Sequence, residues 1–324
     1  MSSQVIFTRM QEAVAYAIGW DRTVGNWSAD MLALFETIKK DGLSLFENPP
    51  VLPGERSTHQ WSFLYPFASL ELSPSYSTGT ITVDTGSVDL TGGTFPTWAA
   101  DGDLWFADDD GVQQRVPVAS RTDADTLVVD DQDIAATAVS YSLKRHSYDL
   151  PTNFGGLHGE GFTFRRDSMY AGHGLRLVGA HELRLYDSST IDGVPAVYSL
   201  DPIAITATAS TLWKVTFAPL PSSTMHLEYQ YRVVPADVDS TNDYPYGGAA
   251  HSETILAAIK HVARMRVHHD ESGYGDFMRK LETSVRFDRQ SRPIDLGRDR
   301  RRDGRNGYPQ HYNASIDDAT FSWT

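Results

Sequence analysis

The chain has 324 residues, 40% of them hydrophobic and 22% charged, with a formal net charge of −14 and no cysteine. That composition can bury a core, and the missing cysteines exclude disulfides, thiolate metal sites and cysteine nucleophiles and fit a reducing compartment. So acidic a body also excludes a general affinity for DNA, which needs clustered Lys and Arg.

Met1-Ser2-Ser3-Gln4 lacks the basic-then-apolar order of a secretion signal. No stretch reaches the ~18–20 apolar residues of a membrane span. The expectation is a soluble chain made in the cytosol, with no membrane partner. Val5, Ile6, Met10, Ala13, Val14 and Ala17 recur at helical spacing, and Gly19 and Asp21–Asn26 then interrupt the pattern. Ser28 reads as the N-cap of a second helix through Met31, Leu32, Leu34, Phe35, Ile38 and Phe46, with Gly42 as a frayed or kinked point. Asn48-Pro49-Pro50 and Pro53-Gly54 stop it.

Residues 60–75 carry Trp61, Phe63, Leu64, Tyr65, Phe67, Leu70 and Leu72 and read as an apolar connector packed between domains. Thr80–Val83, Ser87–Leu90, Asp103–Phe106, Arg115–Val118, Thr126–Val129 and Ala138–Leu143 alternate between turn residues, which predicts a small barrel or sandwich. Further strands are expected at Phe162–Arg165, Gly174–Val178, Glu182–Tyr186, Ala196–Leu200, Ile203–Ala207, Leu212–Phe217 and Met225–Val233. The last sets Leu227, Tyr229 and Tyr231 against Glu228, Gln230 and Arg232 on opposite faces. After Gly247-Gly248, Ser252 reads as the cap of a helix through Ile255, Leu256, Ile259, Val262 and Ala263. A break at Ser272-Gly273 precedes a last helix through Phe277, Leu281, Val285 and Arg289.

Residues 291–324 show no periodicity and read as an extended arm. Residues 286–305 hold eight arginines against four aspartates, a basic stretch suited to docking on something negative, such as a neighbouring copy. The fold class expected is α+β. Helices at both ends (residues 1–60 and 248–290) would form a small bundle. Into it a barrel or sandwich (61–147) and a second β region (148–247) are inserted, and the arm (291–324) follows.

Candidate chemistry is thin. His268-His269-Asp270-Glu271 lacks the His-x-x-x-His spacing that sets two imidazoles on one helix face, so a polar helix end is the better reading. Residues 155–161 (Gly-Gly-Leu-His-Gly-Glu-Gly) have a phosphate loop's composition without its Lys-Ser/Thr, and read as a tight crossing loop. Asp108-Asp109-Asp110 lacks the spaced carboxylates of a calcium loop and reads as a hairpin tip. No Gly-x-Ser-x-Gly elbow occurs. No metal, cofactor or catalytic residue is assigned, and the chain is read as a non-enzyme. Fifteen Tyr, fourteen Phe and seven Trp suit wide contact surfaces instead.

Three stretches carry a resemblance: Tyr148-Asp149-Leu150-Pro151 with Asn153-Phe154-Gly155-Gly156; Leu227-Glu228-Tyr229-Gln230-Tyr231-Arg232-Val233; and Tyr244-Pro245-Tyr246-Gly247-Gly248 running into His251-Ser252-Glu253-Thr254. With Tyr76–Thr80 they make residues 61–266 similar to the head-to-tail adaptor (connector) proteins of tailed bacteriophages. The resemblance implies a structural virion protein at the neck, assembled in the host cytoplasm as a homo-oligomeric ring of about twelve copies. Such a ring binds the portal on one side and a tail nozzle, hub or further neck protein on the other. It extends the channel through which double-stranded DNA passes without sequence-specific contact. The motif residues, Tyr148, Pro151, Gly155, Gly156, Tyr229, Tyr231, Gly247, Gly248 and Ser252, would be structural. Arg298, Arg300, Arg301, Arg302, Tyr308, Tyr312, Phe321 and Trp323 would belong to a portal- or neighbour-binding arm. The alternatives are a tail-fibre or baseplate component recognising glycan or protein, and a carbohydrate-active enzyme.

Overall fold

Gly19 adopts a left-handed backbone (φ 73°), and its N–H closes on Ala15 O, ending the first helix where the sequence breaks. The structure, a computed structural model, describes residues 5–131, 133–186, 192–203 and 212–291. It is α+β. Among the described residues there are five α-helices: α1 (Phe7–Ile18), α2 (Ala29–Glu47), α3 (Ala180–Tyr186), α4 (Ser252–His268) and α5 (Gly273–Ser291).

Ser28 caps α2 by accepting the Met31 N–H at 3.2 Å. Helix α4 packs against α1, α2 and α5. One apolar core joins Met10 and Val14 of α1 and Phe35, Ile38 and Phe46 of α2 to Ile255, Ile259 and Val262 of α4 and Phe277, Leu281 and Val285 of α5. Each such side chain contributes roughly 1.5–3 kcal/mol on burial. Polar ties reinforce the seam. Thr254 and Ser284 hydroxyls lie 2.6 Å apart, and Thr254 Oγ1 also donates to Lys280 O at 3.1 Å.

The strands number fourteen among the described residues: β1 (Phe67–Leu72), β2 (Thr80–Asp84), β3 (Ser87–Thr91), β4 (Gly102–Ala107), β5 (Gln113–Arg121), β6 (Thr126–Val129), β7 (Ala136–Val139), β8 (Tyr141–Arg145), β9 (Ser147–Asp149), β10 (Phe154–Phe164), β11 (Arg176–Leu177), β12 (Val197–Ile203), β13 (Leu212–Ala218) and β14 (Met225–Val233). A large antiparallel sheet has the order β7-β2-β3-β6-β5-β4-β8. Its two end strands are neighbours in the chain, separated by Ser140 alone, so the sheet curls back on itself. Ile81, Val88, Leu104, Val116 and Leu127 point into its core. The single strand expected at Ala138–Leu143 is therefore two. The two part at Ser140, one pairing with β2 and the other with β4, and Ala138 inside β7 takes a positive φ of 51° where the register against β2 shifts.

The other strands form two sheets, β1-β14-β10 and β11-β12-β13-β9, over a shared core. Aromatic edges interlock there, with ring centroids 5.5 Å apart for Phe162–Phe217 and 4.9 Å for Phe162–Tyr198. Several readings change. Residues 67–72, grouped by sequence with the 61–147 module as a connector, form β1 and pair with β14 from Phe67↔Gln230 to Leu72↔Met225. Residues 155–161 lie inside β10 rather than in a loop, and its register shifts twice against β14 around these glycines. Gly161 (φ 80°) has no room for a side chain, since a Cβ would meet Tyr198 Oη at 2.3 Å. Glu182–Tyr186 belong to α3, not a strand, and the expected strand Gly174–Val178 shrinks to the two residues of β11. Most of the strand expected at Ile203–Ala207 lies outside the described residues.

Asp108 sits at the β4–β5 turn, accepting the Asp110 and Val112 N–H groups and the Gln114 amide. The Gln114 hydrogen bond comes first in holding its carboxyl below the ordinary value. No helix among the described residues is long and apolar enough to cross a membrane.

Candidate functional site

The chain leaves the helical core after α2 and returns to it before α4, and both crossings meet at Trp61. Its indole is fully buried and donates to Phe46 O at 2.7 Å. Phe46, Phe63 and His251 surround it with ring centroids 4.7, 5.4 and 5.0 Å away. Gly247 (φ 106°) threads between these rings, where a Cβ would lie 3.2 Å from Phe63 Cζ and 3.4 Å from Phe46 Cε1. Only glycine suits that backbone and that space. Gly248 is also left-handed (φ 67°) and leads into a short 3-10 turn before α4.

Ser252 is the first residue of α4 rather than its cap, which is His251. Its buried hydroxyl instead accepts the Val5 N–H at 3.2 Å and donates to Gly248 O at 3.4 Å. Phe7 N–H reaches Asp243 O at 3.1 Å. The head of α1 is thus tied to the segment that re-enters the helices.

The three resemblance stretches converge on Asn153. Its Oδ1 accepts from Tyr231 Oη at 3.2 Å, its Nδ2 donates to Tyr246 Oη at 3.4 Å, and its carbonyl accepts Val234 N–H at 2.8 Å. Pro151 O accepts the Phe154 N–H at 2.8 Å, closing the turn that presents Asn153. Phe154 stacks on Tyr231 at 5.6 Å. Gly155 lies against Val234, whose Cγ2 would be 2.8 Å from a Cβ. Tyr148 Oη accepts Ser73 N–H at 3.1 Å, and burial raises its phenol's pKa. Burial likewise pushes Tyr229 up to about 12. Gly156 (φ 138°) meets no neighbour within 4 Å, so its conformation alone accounts for the glycine.

Two polar anchors were illegible in the sequence. Asp288, 2% exposed on the last turns of α5, accepts from Ser62 N–H, from Ser62 Oγ and from His59 Nε2 at 2.8 Å. It clamps α5 to the connector that carries Trp61. His251 stands beside this cluster, and burial holds its imidazole below its ordinary value against the pull of Asp288. Lys39, 1% exposed on α2, bonds Glu36 at 2.6 Å and Val238 O, and lies over the Phe7 ring at 5.0 Å. It fixes the returning segment to both N-terminal helices.

Met169 (86% exposed) lies between β10 and β11, Leu177 (56%) on β11 and Leu185 (78%) on α3. A groove of about 590 Å³ follows the end of α5, lined by Leu52, Pro53, Glu55, Glu282, Val285, Arg286, Arg289 and Gln290. Arg298, Arg300, Arg301, Arg302, Tyr308, Tyr312, Phe321 and Trp323 lie outside the described residues. Among the described residues, no group of three or more His, Asp or Glu is placed to hold a metal ion. At residues 268–271, α4 ends with His269 left-handed, and Asp270 is engaged with Ser272 N–H at 2.9 Å and Ser272 Oγ at 2.7 Å.

No protein-family model matches the chain, and no curated protein matches it.

Proposed function

We propose that this protein is a structural subunit of the head-to-tail adaptor ring of a tailed bacteriophage. The observation that carries the reading is the single core shared by α1 and α2 with α4 and α5, tied by Val5 N–H to Ser252 Oγ and Phe7 N–H to Asp243 O, with the β regions carried between them. The meeting of the three adaptor-like stretches at Asn153 adds support.

In this reading the helices of the two ends act as a bundle that forms the ring wall, through heterologous contacts that close after about twelve copies. The ring sits at the virion neck below the portal. The β regions face the tail nozzle, hub or next neck protein, with Met169, Leu177 and Leu185 among their exposed apolar side chains. The net charge of −14 keeps the channel from holding phosphates, so that double-stranded DNA slides through. Residues 291–324, with the basic Arg298 and Arg300–Arg302 and the aromatic Tyr308, Tyr312, Phe321 and Trp323, form the arm that docks on the portal or a neighbour.

Negative-stain imaging and mass photometry of the purified protein, alone and mixed with portal rings, test this. Closed rings of about twelve copies are expected on the portal. A chain lacking residues 292–324 should keep its thermal transition and lose portal affinity. A lone monomer in both samples, or a fibre-like trimer, would overturn the reading.

A further inference from the structure

The groove along the last turns of α5 has a mixed lining. Leu52 and Val285, both under 10% exposed, give it an apolar base, and Pro53 closes one side. Arg289 pairs with Glu55 at 2.6 Å, and Arg286 with Glu282 at 3.5 Å, along its walls. All four of these side chains keep substantial solvent contact, so the pairs hold weakly and their guanidinium faces can be covered. A volume of about 590 Å³ is that of a pocket taking a small organic molecule, which is room for two aromatic side chains.

We propose that this groove is the resting seat of the aromatic segment 306–324 of the same chain. That segment contains Tyr308, Tyr312, Phe321 and Trp323, includes Asp317 and Asp318, and has no Lys or Arg. Its two aspartates are opposite in charge to Arg286 and Arg289 but like in charge to Glu282 and Glu55 on the same walls, so the match rests on the rings, since planar guanidinium groups stack on aromatic faces. The basic residues that precede it end at Arg305, so the segment is distinct in composition from the stretch that joins it to α5.

Tethering favours the same chain over any other source. The groove is built by the turns of α5 that end at Ser291, where the sequence passes into residues 292–324. From residue 291 to Tyr308 the chain can span up to roughly 55–60 Å when extended, several times the ~12 Å length of helix that lines the groove. A segment so tethered is present at an effective concentration on the order of millimolar. The proposal rests on the arm assigned above for its choice of segment, and not on the ring or the portal. It gives the arm a seat to occupy before it meets a partner.

The absence of cysteine makes the test clean. Gln290→Cys and Ser322→Cys are introduced together in the full chain, and disulfide formation under mild oxidation is followed by non-reducing electrophoresis and intact mass. The expected result is a disulfide within one chain, formed at least tenfold faster than in the same double variant with Tyr308, Tyr312, Phe321 and Trp323 all changed to Ser. Equal rates would mean chance collision of a tethered segment and would overturn the seat. Disulfides solely between chains would overturn it too, assigning the groove to a neighbouring copy. The readout needs one chain only, so failure to form rings or bind portal would strike the adaptor reading and leave this one standing.

Discussion

Gly42 on α2 meets Ile259 on α4 so closely that a Cβ at Gly42 would fall 2.7 Å from Ile259 Cγ1 and 2.8 Å from its Cα. Glycine in mid-helix costs about 0.5–1 kcal/mol relative to alanine, and here it allows the two helices to cross in near contact. The position is a packing point and not a kink. Gly42→Ala must push backbone against backbone and is expected to destabilise by about 1–3 kcal/mol, the usual scale of overpacking. Gly275 is the control, on α5 with nothing within 4 Å of its Cβ position, where alanine should be neutral or stabilising by up to ~1 kcal/mol. Thermal melts of both variants check this. Equal melting temperatures would mean that α2 and α4 are not held as close as described.

Asp288 is expected to matter more than any exposed ion pair. Its carboxylate is buried and accepts hydrogen bonds from Ser62 N–H, Ser62 Oγ and His59 Nε2. Asp288→Asn keeps the shape but turns an NH₂ toward those donors, leaving buried polar groups unmatched. The expected loss is about 2–4 kcal/mol. His59→Ala removes a partner of the same carboxylate, so the two changes should be non-additive by about 1–3 kcal/mol in a double-mutant cycle. Urea unfolding of the wild type, both single variants and the double variant measures the coupling, and simple additivity would show that the two side chains act independently.

The parts of this fold that were legible were those whose burial follows a local period. Ile81 and Val83, then Val88 and Leu90, alternate inward along β2 and β3, and Leu227, Tyr229 and Tyr231 do so along β14. The α3 segment misled because Leu183 and Leu185 also alternate. In the helix Leu183 is buried while Leu185 is 78% exposed, a pattern that reflects its neighbours and not its period. Strand β10 was hidden by its glycines. Their positive φ angles at Gly156, Gly159 and Gly161 make the irregularities that let a strand continue. Asp288 stood in the arginine-rich stretch 286–305, which read as a basic docking segment. Its partner Ser62 lies 226 residues earlier in the chain, and no local pattern announces such a pair.

Glu47 gives the stability of this protein a specific dependence on pH. It lies at the end of α2 beside Trp61, Leu64 and Arg232, around a cavity of about 170 Å³. Burial pushes its carboxyl up from 4.5 to about 7, Arg232 opposes the shift and Asp237 adds to it. Between those two values the unfolded chain gives up the proton while the native chain keeps it. Its contribution to stability is therefore full below pH 4.5, declines as the pH rises through about 7, and is lost above that. His251 has the opposite sign. Burial depresses it below 6.5, so the unfolded chain takes up a proton first and stability falls as the pH drops below that value. In the wild type the two slopes oppose each other as the pH falls below 6.5. Glu47→Gln removes one of them. The variant should match the wild type at pH 4, where both side chains are neutral amide or acid, and exceed it in urea midpoint at pH 8, where the native glutamate must ionise in a partly buried site. The His251 slope should then stand alone, seen as a steeper loss of stability on acidification than in the wild type. Urea midpoints at pH 4, 6 and 8 for both proteins decide the matter, and a difference between them that stays constant across the series would show that Glu47 titrates at its ordinary value.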